Sequence, residues 1–204
     1  MTQYWDKMWD ERFELPGYYY GTEPNDFLRE NSNVFKPKGK ILCLAEGEGR
    51  NAVFLAGQGF DVTAVDGSQA GMVKMRELAQ ERKVRVAEVV SDLADFDFGT
   101  DRWDGIVAIW CHLPKELLTR VLRNASKSLT LGGSILIEAY TPKQLEYKTG
   151  GPHSVDLLNQ LHEFQRDLKG LKQIHGIELE RDIYEGKGHT GRSAVVQFIA
   201  RREQ

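Results

Sequence analysis

Cysteine is nearly absent from this chain: there are two, Cys43 and Cys111, each inside an apolar stretch. Two isolated thiols build no disulfide framework, which points to a reducing compartment and to buried, inert side chains. No apolar run approaches the roughly 20 residues that span a bilayer. The opening MTQYWDKMWDERF alternates charged and aromatic residues where a secretory leader would carry an apolar stretch. Cytoplasm is therefore the expected location, without a membrane partner. Positive charge is not in excess either, since the net charge is -3 at pH 7, so nucleic acid is not an expected partner. The five histidines are scattered and no cysteine pair has ligand spacing, so no metal is expected. No G-x-S-x-G elbow announces a nucleophilic triad.

What is present is a globular composition, 41% hydrophobic and 28% charged over 204 residues, enough for a sheet covered by helices on both faces. No linker, repeat or low-complexity tract divides it. The expectation is a single domain over 1–204, with 1–35 as an N-terminal lid or cap and 36–204 as the core. Trp5, Trp9 and Phe13 recur every fourth residue and predict one face of a short helix. PGYYYGTEPNDFL then breaks that helix, and Thr22 is the expected cap of a second helix whose first turn tolerates Pro24.

From residue 40 onward, short apolar runs alternate with amphipathic segments, the signature of βαβ units. The runs are KILCLA (40–45), DVTAVD (61–66), VRVAEVV (84–90), WDGIVAI (103–109) and SILIEAY (134–140). Helices are predicted at 50–58, 68–82 and 115–129, the last stopped by Gly132 and Gly133. Beyond Tyr140 come a polar stretch, a helix from about Ser154, and two strand-like runs around 173–184 and 193–201. The turn EGKGHTGR between those runs reads as a hairpin loop, so the sheet should finish with an antiparallel pair.

The most informative segment is LAEGEGRNAVFLA, between the first strand and the first helix of this series. Gly47 and Gly49 permit a tight turn and close approach of backbone to a ligand. Asp66 closes the second strand, where a carboxylate accepts bonds from the ribose hydroxyls of a dinucleotide or an adenosyl ligand. Charge separates these two ligands. Glu46 and Glu48 on the turn would repel a pyrophosphate, whereas S-adenosylmethionine has no phosphate and carries an ammonium and a sulfonium. Its free carboxylate would find backbone amides or Arg50. Asp92, just past the third strand, suits the adenine amine, with Leu93 flanking the ring and Met72 covering its other face. Ser68 reads first as a helix cap. These groups lie at the carboxyl ends of adjacent strands, where open α/β sheets place ligands.

LAEGEGRNA, VTAVDGS, SDLADF, WDGIVAIWCHLP, LGGSILIEAY and the closing hairpin together resemble the class I S-adenosylmethionine-dependent methyltransferases, across roughly residues 15–202. YYYGTEPNDFL followed by GEGRNAVFLA resembles their tellurite-resistance and thiopurine methyltransferase-like branch. The resemblance implies a doubly wound, Rossmann-like, mostly parallel seven-stranded sheet whose last strand is antiparallel. It implies a cofactor site drawn from Tyr20, Glu46, Gly47, Glu48, Gly49, Arg50, Asn51, Asp66, Gly67, Ser68, Met72, Asp92, Leu93 and Ile109. One departure is that Arg50 and Asn51 follow Gly49 where the superfamily often has a third small residue.

Methyl transfer is a direct displacement, so the protein's task is to align the nucleophile and exclude water. Where a proton must leave, the candidate bases are His112, Glu138, Tyr140 and His189. His189 and Arg192, in the hairpin segment GKGHTGRS, are expected as flexible polar groups that orient the substrate, and His112 as a catalytic candidate or the residue that orders its turn. Tyr20, Asn25 and the stretch 141–153 should complete the pocket wall. The leading expectation is transfer of a methyl group to a small-molecule nucleophile (a thiol, a chalcogen oxyanion or a metabolite), leaving S-adenosylhomocysteine, by a monomer or homodimer. A nicotinamide-dependent oxidoreductase, a protein lysine methyltransferase and a non-catalytic adenosyl-binding protein stay open beside it.

Overall fold

The computed structural model describes residues 2–203, with side chains from residue 7 onward. The first strands and helices fall where hydrophobic periodicity sets them: β1 (Lys40–Leu44), α3 (Arg50–Gly57), β2 (Asp61–Asp66) and α4 (Gln69–Glu81), preceded by α1 (Thr2–Phe13) and α2 (Asp26–Asn31). They continue as β3 (Ala87–Val90), β4 (Trp103–Ile109), α5 (Lys115–Ser128), β5 (Leu129–Tyr140), α6 (Leu161–Asp167), β6 (Lys172–Glu185) and β7 (His189–Arg201). One seven-stranded sheet results, in the order β3-β2-β1-β4-β5-β7-β6. Strands β1 to β5 pair in parallel, and β7 runs antiparallel between β5 and β6.

Because β1 and β4 are neighbours, the chain winds outward in both directions from them, and the crevice at their carboxyl ends is the ligand position for such a sheet. Apolar residues bury both faces. Leu42, Ile106, Ile135 and Phe198 pack on the α5 and α6 side, and Ile41, Val62, Val107 and Leu136 on the α3 and α4 side. That double burial is why the strands read as continuous apolar runs.

Four expectations shift. The cap of α2 is Asn25, whose side chain accepts from Leu28 N at 3.0 Å, and not Thr22. The third strand is shorter than 84–90, because Val84 and Val86 pack as the connection out of α4. Strand β5 starts at Leu129, so Gly132 and Gly133 lie within it and do not stop α5. A register shift between Trp103 and Gly105 accommodates them, and a Cβ on Gly133 would stand 3.1 Å from the Trp103 carbonyl. In place of a helix from Ser154 there is a 3-10 turn, Val155–Leu157, and then α6, closed by a capping box between Gln160 and Glu163. Trp5 lies outside the described side chains. Trp9 and Phe13 do share a face of α1, their rings stacked at 5.5 Å.

Gly49 shows how tightly the turn is built. Its φ is +88°, and a Cβ there would stand 2.2 Å from Met75 of α4. Gly49→Ala should therefore lower stability by about 2 kcal/mol or more through strain and overlap. At the usual scale for this chain length, thermal unfolding should begin at least about 4 °C lower, as read by circular dichroism.

Candidate functional site

The turn after β1 is held by its own carboxylates. Glu46 turns inward, where Asn51 N and Ala52 N donate to its Oε1 at 2.9 and 2.8 Å, so it caps the first turn of α3. Burial pushes its carboxyl up to about 7. Glu48 accepts from Tyr19 N at 2.7 Å and Tyr20 N at 3.3 Å, and pairs with Lys74 at 3.0 Å. Both side chains are thus committed to protein donors, and the expected direct repulsion of a pyrophosphate is replaced by occupation of the helix amides that would bind it.

At the end of β2, Asp66 accepts from Gly47 N and Ser68 N, each at 2.8 Å. Ser68 caps α4 by accepting from Gly71 N at 3.0 Å, and its hydroxyl donates to Asp10 at 2.6 Å. Asp92 accepts from Ala94 N at 2.8 Å; Leu93 beside it and Ile109 at the end of β4 are buried. Met72 is fully buried in the core cluster on the α3 and α4 side of the sheet.

The N-terminal segment closes over this turn. Asp10 accepts from Ala70 N at 3.0 Å, and a Cβ on Gly47 would meet the Phe13 ring at 3.0 Å. Arg12 donates to the Tyr20 hydroxyl at 3.1 Å and lies against the Trp9 and Tyr19 rings at 4.6 and 4.9 Å. No carboxylate among the described residues pairs with this guanidinium.

Beyond β4 and β5 lies a buried polar cluster that the sequence did not reveal as a unit. Glu185, the last residue of β6, receives Asn25 Nδ2 at 2.8 Å on one oxygen. Its other oxygen receives Arg50 and the Trp110 indole N–H, each at 2.6 Å, with His189 Nδ1 at 3.4 Å. Arg50 and the hydrogen bonds hold its carboxyl well below the usual range against the opposing effect of burial. Glu138, fully buried in β5, accepts from Arg181, Gln197 and Asn25 at 2.7, 2.7 and 2.6 Å. Its lone pairs are taken, so it is not an available base.

His189 is buried, with ring centroids of Tyr20, Trp110 and Tyr140 at 4.6, 5.1 and 5.2 Å. It opens β7 and is not a flexible loop residue. Arg192, three positions on, has the opposite strand parity; it is exposed and lies 3.4 Å from Glu180, so the structure does not bring it together with His189. His112 has its Nδ1 3.0 Å from the Leu157 carbonyl and so orders its turn, while its Nε2 is buried without a partner among the described residues. Burial holds its pKa down at about 3. Gly150 and Gly151 bring the 141–153 stretch against His189 and Tyr140. Asn25 is fully buried and forms no wall.

A family model described as a methyltransferase domain matches residues 41–133. Over 102 residues, 49% of this chain, the sequence is 26% identical to the probable S-adenosyl-L-methionine-dependent methyltransferase TehB of Haemophilus influenzae. The match spans about a third of that relative's length, 35%. The crystal structure of H. influenzae TehB superposes with a TM-score of 0.71 at 17% identity, over 97% of this chain and 66% of that one. A structure from the conversion of a disulfide bond into a thioacetal group during echinomycin biosynthesis gives 0.77 at 18% identity, over 100% and 92%. Magnesium protoporphyrin IX methyltransferase from Synechocystis, with bound S-adenosylhomocysteine, gives 0.64 at 15%, over 97% and 82%. The fold is shared with these structures, and residues 41–133 are similar to a methyltransferase domain.

The turn, Asp66 and His189 were expected from the sequence, whereas Glu185, Trp110, Arg181 and Arg12, which the structure places around them, were not. The available signal was the pair of residues flanking Gly186-Lys187-Gly188: a two-stranded hairpin sets Glu185 opposite His189. Glu46, with a folded-state pKa above the unfolded value of 4.5, gives stability that is fully present below 4.5 and is lost as pH rises through about 7. Glu46→Gln keeps an acceptor for the two α3 amides and removes the titration. Urea unfolding should show wild type losing stability between pH 5 and pH 8 and the variant losing less.

Proposed function

We propose that the chain transfers a methyl group from S-adenosylmethionine to a small-molecule nucleophile held beyond the carboxyl ends of β4 and β5. The observation that carries this over the nicotinamide alternative is Glu46. A pyrophosphate needs the free amides of the helix after the first strand, and in this chain Glu46 fills them from within. The phosphate-free adenosyl cofactor has no such need.

The residues present fit that cofactor. Gly47, at φ +59°, offers a turn without a Cβ, and Asp66 suits the ribose hydroxyls. Asp92 and Leu93 suit adenine, and Tyr20 with α1 covers the turn. Arg50 is committed to Glu185, so the methionine carboxylate falls to Arg12, whose guanidinium has no acidic partner among the described residues. When bound, the cofactor supplies an electrophilic methyl on a sulfonium, which leaves as a neutral sulfide. This chain's residues exclude water through the aromatic group Tyr20, Trp110 and Tyr140, and His189 is the candidate to take a proton from the nucleophile. Among nucleophiles, thiols and related small metabolites suit this largely aromatic surround; a chalcogen oxyanion is the other acceptor of the branch the chain resembles. Among the described residues, no helix is long and apolar enough to cross a membrane.

Titration calorimetry should show S-adenosylmethionine binding and no NAD binding; the reverse result would overturn the assignment. Radiolabelled methyl donor incubated with a cell extract should label small molecules and not protein. Arg12→Gln should weaken S-adenosylmethionine about tenfold or more, the scale of a charge-assisted hydrogen bond. The same change should leave 5′-methylthioadenosine, which lacks the carboxylate, within about twofold.

A further inference from the structure

We propose that Glu185 is the positioning residue of the acceptor site, fixing His189 as the neutral tautomer with its proton on Nδ1 and its Nε2 lone pair turned to the nucleophile. The inference rests on the methyl-transfer reading above and assigns the proton step within it.

The geometry is set by backbone. Glu185 and His189 are paired across the end of the β6 and β7 hairpin, so their side chains leave the sheet on the same face. The three-residue loop between them is pinned, since Lys187 N donates to the Tyr19 carbonyl at 2.8 Å. Gly188 lets the Tyr20 ring lie close, for a Cβ there would stand 2.3 Å from it. Glu185 itself cannot turn away: Asn25, Arg50 and Trp110 reach it from three other parts of the chain.

An ionised carboxylate only accepts, so the nitrogen that faces it, Nδ1, must be the one that carries hydrogen. Nε2 is then left as an acceptor, the arrangement by which a buried acid sets the tautomer of a histidine base. In the proton step the nucleophile's X–H bond breaks and an N–H bond forms at Nε2. The electron pair left on X bonds the methyl carbon as the C–S bond breaks onto sulfur, and the imidazolium formed faces Glu185 before it releases its proton to water.

The groups facing His189 are Glu185 on β6, Arg50 on α3, Arg12 on α1, Tyr20 in the connecting segment, Trp110 and His112 after β4, and Tyr140 on β5. Burial, the chief influence, and the two arginines depress its pKa, while Glu185 raises it. The balance leaves the imidazole neutral at pH 7.

The first test needs no turnover. Nitrogen-15 chemical shifts of the His189 ring, assigned by comparison with His189→Gln, should show the neutral form with hydrogen on Nδ1 at pH 7.5. The Nε2–H tautomer, or a charged ring, overturns the proposal. The second test is Glu185→Gln, which keeps an acceptor oxygen for Trp110 and removes the negative charge. The His189 pKa and the acid limb of kcat against pH should both move to lower pH, and kcat should fall about tenfold or more with KM little changed. An unmoved acid limb with unchanged kcat overturns the proposal even where methyl transfer proceeds. Absence of transfer to any acceptor refutes the methyltransferase reading instead, and leaves the tautomer measurement to decide the role of Glu185.

Discussion

The carboxylate of Glu185 is the point on which the site depends. It joins the N-cap of α2, the first turn of α3, the residue after β4 and the start of β7, which otherwise share no covalent neighbour. Burying a charge is expensive, and this one is tolerated because a guanidinium and two neutral N–H groups meet it at short distances. Removing one partner of such a pair costs about 3–5 kcal/mol, since the other charge is left stranded. The Glu138 and Arg181 pair lies next to it, linked through Asn25, which donates to both carboxylates. The region is therefore close to charge-balanced with its histidines neutral, and the rings of Trp110, Tyr140 and Tyr20 close around His189 without a competing anion.

The same arrangement accounts for Arg50 and Asn51, which follow Gly49. Neither reaches for the cofactor side of the turn. Arg50 ties α3 to the hairpin, and Asn51 accepts from Asn25 N at 2.9 Å, tying α3 to α2. The first turn of α3 is thus bolted to α2 and to the β6 and β7 hairpin. Strain sits at the same place: Ala45 after β1 and Trp110 after β4 both hold left-handed φ, at +50° and +56°. For a residue as bulky as tryptophan such a conformation persists only where its surroundings over-determine it, and here the indole N–H is locked on Glu185.

Much of the fold was legible because its signals are local. Apolar runs of strand length separated by amphipathic segments gave β1, β2, β4 and all of α3, α4 and α5 within a residue or two, and the glycines of EGKGHTGR gave the hairpin. The errors came where tertiary contacts outvoted local signs. Gly132 and Gly133 look like a helix stop, yet they lie in a strand whose register slips to admit them. Thr22 looks like a cap, yet Asn25 serves, held by partners more than 100 residues away. Of the site, the turn and Asp66 were visible because spacing encodes them. The Glu185 cluster was not, since its members come from five separate segments and each alone resembles an ordinary surface charge or core aromatic. Arg192 misled for a related reason: proximity to His189 in sequence is opposition in a strand.

Glu46 occupies the first amides of α3 from within the chain. In a glycine turn that opens a helix, the first free amides form a site for an anion, and a phosphate-bearing ligand uses it directly. Here the chain supplies its own anion, and burial makes that carboxyl reluctant to ionise, so the helix terminus is met by a group poised between its two forms. An internal cap of this kind leaves the helix satisfied and the turn without a claim on external phosphate. Beside this turn lie the Asp66 carboxylate, which accepts from Gly47 N and Ser68 N, and the Arg12 guanidinium carried in by α1.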